Sequence, residues 1–322
     1  MGGSRIPWRL LRDAGLTIVP GFIAVREERA WLADWRGTRG VLRGGHVPAG
    51  AVSRAGRLDD VAWLHAFLAE LAGVGFPSPR PLPAFGGQSW TVAGGRLWEL
   101  VSFIPGHEVG WAAEPSMEQI GALLARYHCA ARRIGVTGER GDVIPLASVP
   151  AILRSGQLDA ACPDPEQAAV IRRLAGRLAA DLEDFAHSAA ERLIIHGDFT
   201  NHNVIADGIP PTPVGVIDFQ RAHVEVPLAD IAYGLWRSGR PHQDAGCLDL
   251  TRLGGFVRGY ASTIPFPASA ARALPVFLYG RGLQMIARRI QAGQAGTDVL
   301  AQVQWTAANT TAIADAAAGV LP

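Results

Sequence analysis

The most constraining stretch of the chain runs from Leu193 to Phe219 and reads LIIHGDFTNHNVIADGIPPTPVGVIDF. Leu193–Ile195, Val204–Ala206 and Val214–Ile217 are short β-branched apolar runs and predict three strands. The turn Asp207–Pro213, with three prolines, separates the last two. His196–Asn203 forms the loop between the first pair, and Asp218 follows the third strand directly. Because strand ends hold side chains in fixed geometry, Asp198, Asn203 and Asp218 are expected to converge on one point. Two carboxylates and an amide oxygen are hard ligands, suited to Mg²⁺ that is shared with the phosphates of a substrate.

Such a set has a chemical use. Phosphoryl transfer needs the donor's charge neutralised and the acceptor hydroxyl oriented, and little covalent chemistry from the protein. Asp198 would accept the hydroxyl proton, while Asn203 and Asp218 would hold metal. HGDFTNHNV followed by VIDF resembles the catalytic and metal-binding motifs of the aminoglycoside phosphotransferase and choline kinase-like family. HGD stands where protein kinases have HRD, and IDF where they have DFG. The resemblance implies an α+β, protein-kinase-like fold of two lobes: an antiparallel-sheet N-lobe over residues 1–104 that binds nucleotide, and a mostly helical C-lobe over residues 105–322 that carries the catalytic loop and acceptor site. It further implies Mg²⁺ and ATP, with GTP as an alternative donor, a small-molecule hydroxyl acceptor, and a monomer or homodimer. His196 would be a buried anchor under the loop, and Asp230 would brace the loop by accepting backbone hydrogen bonds.

Composition narrows the remaining classes. Hydrophobic residues make up 48% and charged residues 18% of the 322, which fits an ordered globular protein. A net charge of +1 gives no reason to expect nucleic acid as a partner. All 30 basic residues are arginine, which reads as codon bias rather than function. Cys129, Cys162 and Cys247 are dispersed without metal-ligand spacing, so free thiols and a cytoplasmic location are expected. No apolar window reaches the length of a membrane span.

Upstream, Ile6–Ala14 predicts a short helix. Strands are predicted over Leu16–Val19, Phe22–Val25, Ala30–Trp35 and Arg39–Leu42, with turns at Arg26–Arg29 and Gly37-Thr38. Arg43 ends the last of these, where the family places a basic residue against the α/β-phosphates; arginine can serve there through bidentate contacts. No GxGxxG occupies the first hairpin. Leu58–Ala72 predicts a helix from its apolar spacing at Val61, Leu64, Phe67, Leu68 and Leu71. Glu70, Asp60 and the position of His65 all compete as the partner of Arg43. After a hairpin of Ser89–Val92 and Arg96–Val101, WELVSFIPG resembles the family's hinge, so adenine would bond the backbone of Ser102, Phe103 and Ile104.

Helices are predicted over Ser116–Gly135, with Ser116 as N-cap, and over Glu166–Ala190. His128 is expected in the core. Tyr233, Trp236 and Arg237 share a helix face with Asp230 and are candidate acceptor contacts, and Leu248–Ala318 predicts three helices. Beyond Phe219 the acids Glu225, Asp230, Asp244, Asp249, Asp298 and Asp315 are outnumbered by Arg221, Arg237, Arg240, Arg252, Arg258, Arg272, Arg281, Arg288 and Arg289. The resemblance implies an antibiotic, natural product or metabolite as acceptor, with antibiotic resistance as one role. The charge balance leans away from a polycationic aminoglycoside and toward a neutral, zwitterionic or anionic acceptor such as a hydroxy amino acid or a polar natural product. A homoserine-type hydroxy amino acid kinase matches that lean. A catalytically inactive kinase-fold nucleotide-binding protein is the alternative of another class; the presence of Asp198, Asn203 and Asp218 argues against it.

Overall fold

A computed structural model describes residues 6–19, 30–46, 54–109, 116–136, 138, 140, 143–186, 191–242, 246–294 and 296–319. The strand expected over Phe22–Val25, the turn Arg26–Arg29 and the acid Asp244 lie outside these described residues. The chain divides into two units, Met1–Gly106 with Gly215–Ile217, and His107–Val214 with Asp218–Pro322.

The first unit contains α1 (Trp8–Ala14), β1 (Leu16–Ile18), β2 (Ala30–Trp35), β3 (Thr38–His46), α2 (Arg54–Gly73), β4 (Trp90–Ala93) and β5 (Arg96–Ser102). Its strands form one antiparallel sheet in the order β1-β2-β3-β5-β4. One face of that sheet carries Leu16, Ala33, Leu42, Trp98 and Leu100, which pack into a single cluster with Ala14, Leu82 and Ala84. The pairing Leu42↔Leu100 sets the register, and a slip of one residue would turn this whole set outward. Helix α2 begins four residues earlier than its apolar pattern predicts. The five positions that carried the pattern, Val61, Leu64, Phe67, Leu68 and Leu71, are all buried.

The second unit is mostly helical. It begins with β6 (His107–Glu108) and α3 (Met117–Ile134), where Ser116 caps the helix in a reciprocal box with Gln119. Short helices α4 (Val149–Leu153) and α5 (Gln157–Ala161) precede the long α6 (Pro165–Ala186); the remainder of its predicted span, 187–190, lies outside the described residues. Strands β7 (Leu193–Ile195), β8 (Val204–Asp207), β9 (Thr212–Val216) and β10 (His223–Glu225) follow, with β7 paired to β10 and β8 lying between β6 and β9. Strand β9 starts two residues before the predicted Val214 and includes Pro213. A proline is tolerated there because β9 is an edge strand, so the missing N–H breaks no inner ladder.

Helices α7 (Pro227–Ser238), α8 (Leu250–Ala261), α9 (Ala268–Gln291), α10 (Leu300–Ala308) and α11 (Thr310–Ala318) complete the unit. Where three helices were expected after Leu248, the described residues form four. The extra division falls at Asn309, whose φ of −109° and ψ of 28° leave the helical range between α10 and α11. No helix among the described residues is long and apolar enough to cross a membrane.

Candidate active site

The fully buried strand β7 delivers the chain to His196. The imidazole of His196 has no solvent exposure and packs against Phe219, ring centroids 4.5 Å apart, with Tyr127 and Phe199 at its edges. Its Nδ1 accepts the Asp198 N–H at 3.2 Å, so the ring helps set the turn that presents Asp198. Gly197 is required by the same turn. Its φ is +73°, and a Cβ there would lie 2.2 Å from the Arg221 carbonyl oxygen. After the turn, the Asn203 side-chain amide donates to the Asp198 carbonyl at 2.8 Å, which closes the loop on itself. With its NH₂ group so placed, Asn203 keeps its amide oxygen for a ligand.

Asp230, from the first turn of α7, sits beneath this loop with no exposure. Its two carboxylate oxygens accept the N–H groups of His196 at 2.7 Å and Gly197 at 2.9 Å. His128 Nε2 approaches the same carboxylate at 3.3 Å, and His128 Nδ1 meets the Tyr260 hydroxyl at 2.8 Å. Burial alone would push the Asp230 carboxyl up, but the His128 hydrogen bond and the His196 contacts bring it below the ordinary aspartate value. The brace is therefore an ionised carboxylate.

Asp198 itself is about one quarter exposed, with a side-chain exposure of 28%. Two guanidinium groups flank it: Arg221 Nε at 3.8 Å from Oδ2 and Arg281 Nη2 at 3.8 Å from Oδ1. Arg281, from the middle of α9, is 6% exposed. Its guanidinium stacks 3.6 Å from the Tyr233 ring centroid and donates to Gln284 Oε1 at 3.1 Å; that same oxygen accepts the Tyr233 hydroxyl at 2.6 Å. Arg281, Tyr233 and Gln284 line a narrow pocket with His223 and Glu225. Burial and the neighbouring Arg288 hold the Arg281 guanidinium down, at about 10, despite the attraction of Tyr233 and Asp198. It stays protonated at neutral pH. His223 donates its Nδ1–H to the Arg221 carbonyl at 2.8 Å, and burial lowers its pKa, so it presents a neutral ring.

Asp218 follows β9 in the left-handed region, at φ 66° and ψ 56°. That conformation costs a non-glycine residue about 1–2 kcal/mol, though Asp tolerates it better than most. Strained backbone of this kind concentrates at functional positions. Among the described residues no three His, Cys, Asp or Glu side chains gather as a metal cage. A carboxylate such as Asp218 and an amide oxygen such as Asn203 are donor types that fit Mg²⁺, which takes one or two protein oxygens and completes its shell with phosphates and water.

In the first unit, Arg43 of β3 lies directly across from Glu99 of β5. Cross-strand partners share a face, so Glu99 lies on the same face of the sheet as Arg43. Glu99 is 8% exposed and bonds His65 Nε2 of α2 at 2.9 Å, while His65 Nδ1 meets Ser89 Oγ at 2.6 Å. The helix thus contributes a histidine where an acid was sought. At the end of β5, the Ser102 N–H is donated to the Arg80 carbonyl at 2.7 Å and the Phe103 N–H to the Arg39 carbonyl at 3.0 Å. Of the three expected adenine contacts, Ile104 is the one whose N–H donates to no described residue.

The sequence profile of the phosphotransferase enzyme family matches residues 27–266. The chain belongs to that family. It is a small-molecule O-phosphotransferase, with an alcohol group as acceptor. The homoserine kinase of Acidiphilium cryptum is 27% identical over 241 residues, which cover 72% of this chain and 69% of that protein. Among solved structures, a microcompartment-associated aminopropanol kinase is similar with a TM-score of 0.64 at 17% identity, over 95% of this chain and 94% of that one. An amicoumacin kinase in complex with AMP-PNP and Ca²⁺ is similar with a TM-score of 0.60 at 16% identity, over 93% and 88% of the two chains. The phosphotransferase therefore has the kinase-like α+β fold that its motifs imply.

Of the acceptor contacts expected from sequence, Tyr233 reaches the surroundings of Asp198 through Arg281. Trp236 does not. It is 1% exposed and lies so close to α9 that a Cβ on Gly282 would stand 2.4 Å from its indole, which makes it a core residue. Arg237 is half-buried and takes no part in the contacts that tie Tyr233, Gln284 and Arg281 together. The residues that sequence reasoning passed over are Arg281, Gln284 and His223. One signal was present: Arg281 stands between Gly280 and Gly282 inside a long helix, where each glycine costs about 1 kcal/mol relative to alanine. Here those glycines let α9 approach Leu146 and Leu178 on one side and Trp236 and Val303 on the other.

Proposed function

We propose that this phosphotransferase moves the γ-phosphoryl group of ATP to the hydroxyl of a small, non-polycationic acceptor, with a homoserine-type hydroxy amino acid as the best-supported class. Asp198 accepts the hydroxyl proton. Residues 1–104 hold the nucleotide, with Arg43 at its phosphates and the Ile104 N–H toward its base, and residues 105–322 hold the catalytic loop and acceptor. Asn203 and Asp218 hold Mg²⁺, which when bound neutralises charge on the phosphates. GTP is the alternative donor, and the cytoplasm, with its reduced thiols, is the compartment that suits the free cysteines.

The observation that carries this reading is the fixed presentation of Asp198: its backbone is tied to His196 and Asn203, the loop below is tied to buried Asp230, and the carboxylate itself stays accessible. Positioning of this kind is what proton acceptance demands before any pKa matching. The guanidinium groups of Arg221 and Arg281 beside Asp198 support an acceptor without clustered ammonium groups, since like charges there would repel. The similarity to homoserine kinases supports the same class. A panel of hydroxyl-bearing metabolites, including L-homoserine, 3-amino-1-propanol and kanamycin, incubated with Mg²⁺ and labelled ATP, tests the proposal. Transfer to L-homoserine is expected; transfer to kanamycin alone would overturn the acceptor class while leaving the phosphotransferase standing.

A further inference from the structure

Arg281 is the most unusual group in the second unit that proton transfer does not account for. Its guanidinium has five N–H donors. Among the described residues one of them makes a hydrogen bond, to Gln284 Oε1, and the 3.8 Å approach to Asp198 is beyond hydrogen-bond length. The group is nonetheless 6% exposed, and its place is over-determined by the Tyr233 stack and by Gln284, whose Nε2 is anchored on the Ile144 carbonyl at 2.6 Å. A stacking partner for Tyr233 would not need a buried positive charge. A buried, pre-oriented guanidinium with donors to spare is the arrangement that recognises a planar carboxylate.

Glu225 lines the same pocket. One of its oxygens accepts the Val226 N–H at 3.0 Å, and no arginine bridges to it among the described residues. One cation and one anion thus line the same narrow pocket, and the cation lies 3.8 Å from Asp198. We propose that Arg281 binds the carboxylate of the acceptor and Glu225 its ammonium group, so that this pair selects a short hydroxy amino acid. The inference rests on the acceptor class put forward above and assigns the residues that enforce it. Distance limits the chain: adding one hydrogen-bond length at each end of the 3.8 Å separation caps the span from hydroxyl to carboxylate oxygen near 9 Å at about full extension. A hydroxyl two to four carbons from the carboxylate falls inside that limit.

The test compares acceptors on the full-length enzyme in a coupled ADP-release assay. On the wild-type enzyme, L-homoserine is expected to exceed L-homoserine amide in kcat/KM by about 10²-fold or more, the loss typical of one partner removed from a desolvated charge pair. With Arg281→Met, KM for L-homoserine is expected to rise about 10²-fold, and the preference for acid over amide is expected to vanish. Arg281→Lys should restore part of it. With Glu225→Gln, the loss should fall on L-homoserine and spare 4-hydroxybutyrate, which has no ammonium group. A purely structural role for Arg281 would lower turnover on acid and amide alike and leave their ratio intact, which overturns the proposal. So does a wild-type ratio near unity, a result that needs no folded variant. Turnover of the wild type on uncharged or cationic alcohols, with none on L-homoserine, overturns both this pairing and the hydroxy amino acid class, yet leaves the phosphotransferase. A wild-type enzyme that turns over L-homoserine and its amide equally leaves the acceptor class in place and removes only the role of Arg281.

Discussion

Replacing Asp230 by asparagine exchanges one oxygen for an NH₂ group in a site that receives only donors. In the least costly orientation the new amide oxygen takes the place of Oδ2 and keeps the His196 N–H at 2.7 Å and the His128 contact at 3.3 Å. The NH₂ group then faces the Gly197 N–H, which now donates to Oδ1 at 2.9 Å. One charge-assisted hydrogen bond disappears, worth about 1.5–3 kcal/mol, and two buried donors are left against each other at about 1–3 kcal/mol. The expected destabilisation is about 3–5 kcal/mol, within the range for breaking a buried ion pair. Because Gly197 immediately precedes Asp198, activity should fall as well; a 1 Å misplacement of a reacting group can cost about 10²-fold. Urea unfolding followed by far-UV circular dichroism measures the first quantity, and kcat at saturating nucleotide the second. The acid limb adds a check of sign. Asp230 has a depressed pKa in the folded protein, so its contribution is fully present above the unfolded aspartate value and is lost as pH falls through the folded value. Asp230→Asn should remove that acid-side component. A variant within about 0.5 kcal/mol of the parent, the ordinary scatter of surface changes, and with unchanged kcat would refute the brace.

Asp198→Ala is expected to lower kcat by about 10²–10⁴-fold, the usual worth of a general base, while nucleotide affinity measured by calorimetry stays close to the parent. Asp218→Asn should weaken nucleotide binding only where Mg²⁺ is present, and identical metal dependence in parent and variant would remove Asp218 from the metal site. Gly197→Ala places a Cβ 2.2 Å from the Arg221 carbonyl at a φ of +73°, so it should cost more stability than Asp230→Asn or fail to fold; a well-folded, active Gly197→Ala protein would show that the loop has another conformation.

Much of this arrangement was legible because it is local. His196, Gly197, Asp198 and Asn203 lie within eight consecutive residues, and the turn they form is written in its own chemistry: a glycine where φ must be positive, an amide that bonds back to the chain. Asp230 could be found only through the family, because its partners are 33 and 34 residues away and the sequence pattern of α7 does not reveal what a buried acid touches. Trp236 illustrates the limit of helical spacing. It does lie on α7 with Asp230, but spacing cannot say that α9 covers it, since that depends on Gly282, 46 residues downstream. Strand β9 begins two residues before its predicted start for a similar reason, because the proline penalty depends on whether a strand has a neighbour on both sides.

Arg281 and Glu99 share a deeper difficulty. Each acts through a residue that is distant in sequence and unremarkable on its own: Arg281 through Asp198 and Tyr233, Glu99 through His65 and its register opposite Arg43. Net charge after Phe219 does not say which arginine lies beside Asp198. What distinguishes Arg281 from the others is that it is buried beside Asp198 with donors uncommitted among the described residues, whereas Arg258 spends its charge on exposed Glu118 and Arg132 on exposed Glu191. Pairs of that exposed kind contribute at most about 1 kcal/mol. Arg281 has only the 3.8 Å approach of Asp198 to balance its buried charge, so on the proposal above the acceptor would complete the pairing and specificity would be set from α9 rather than from α7.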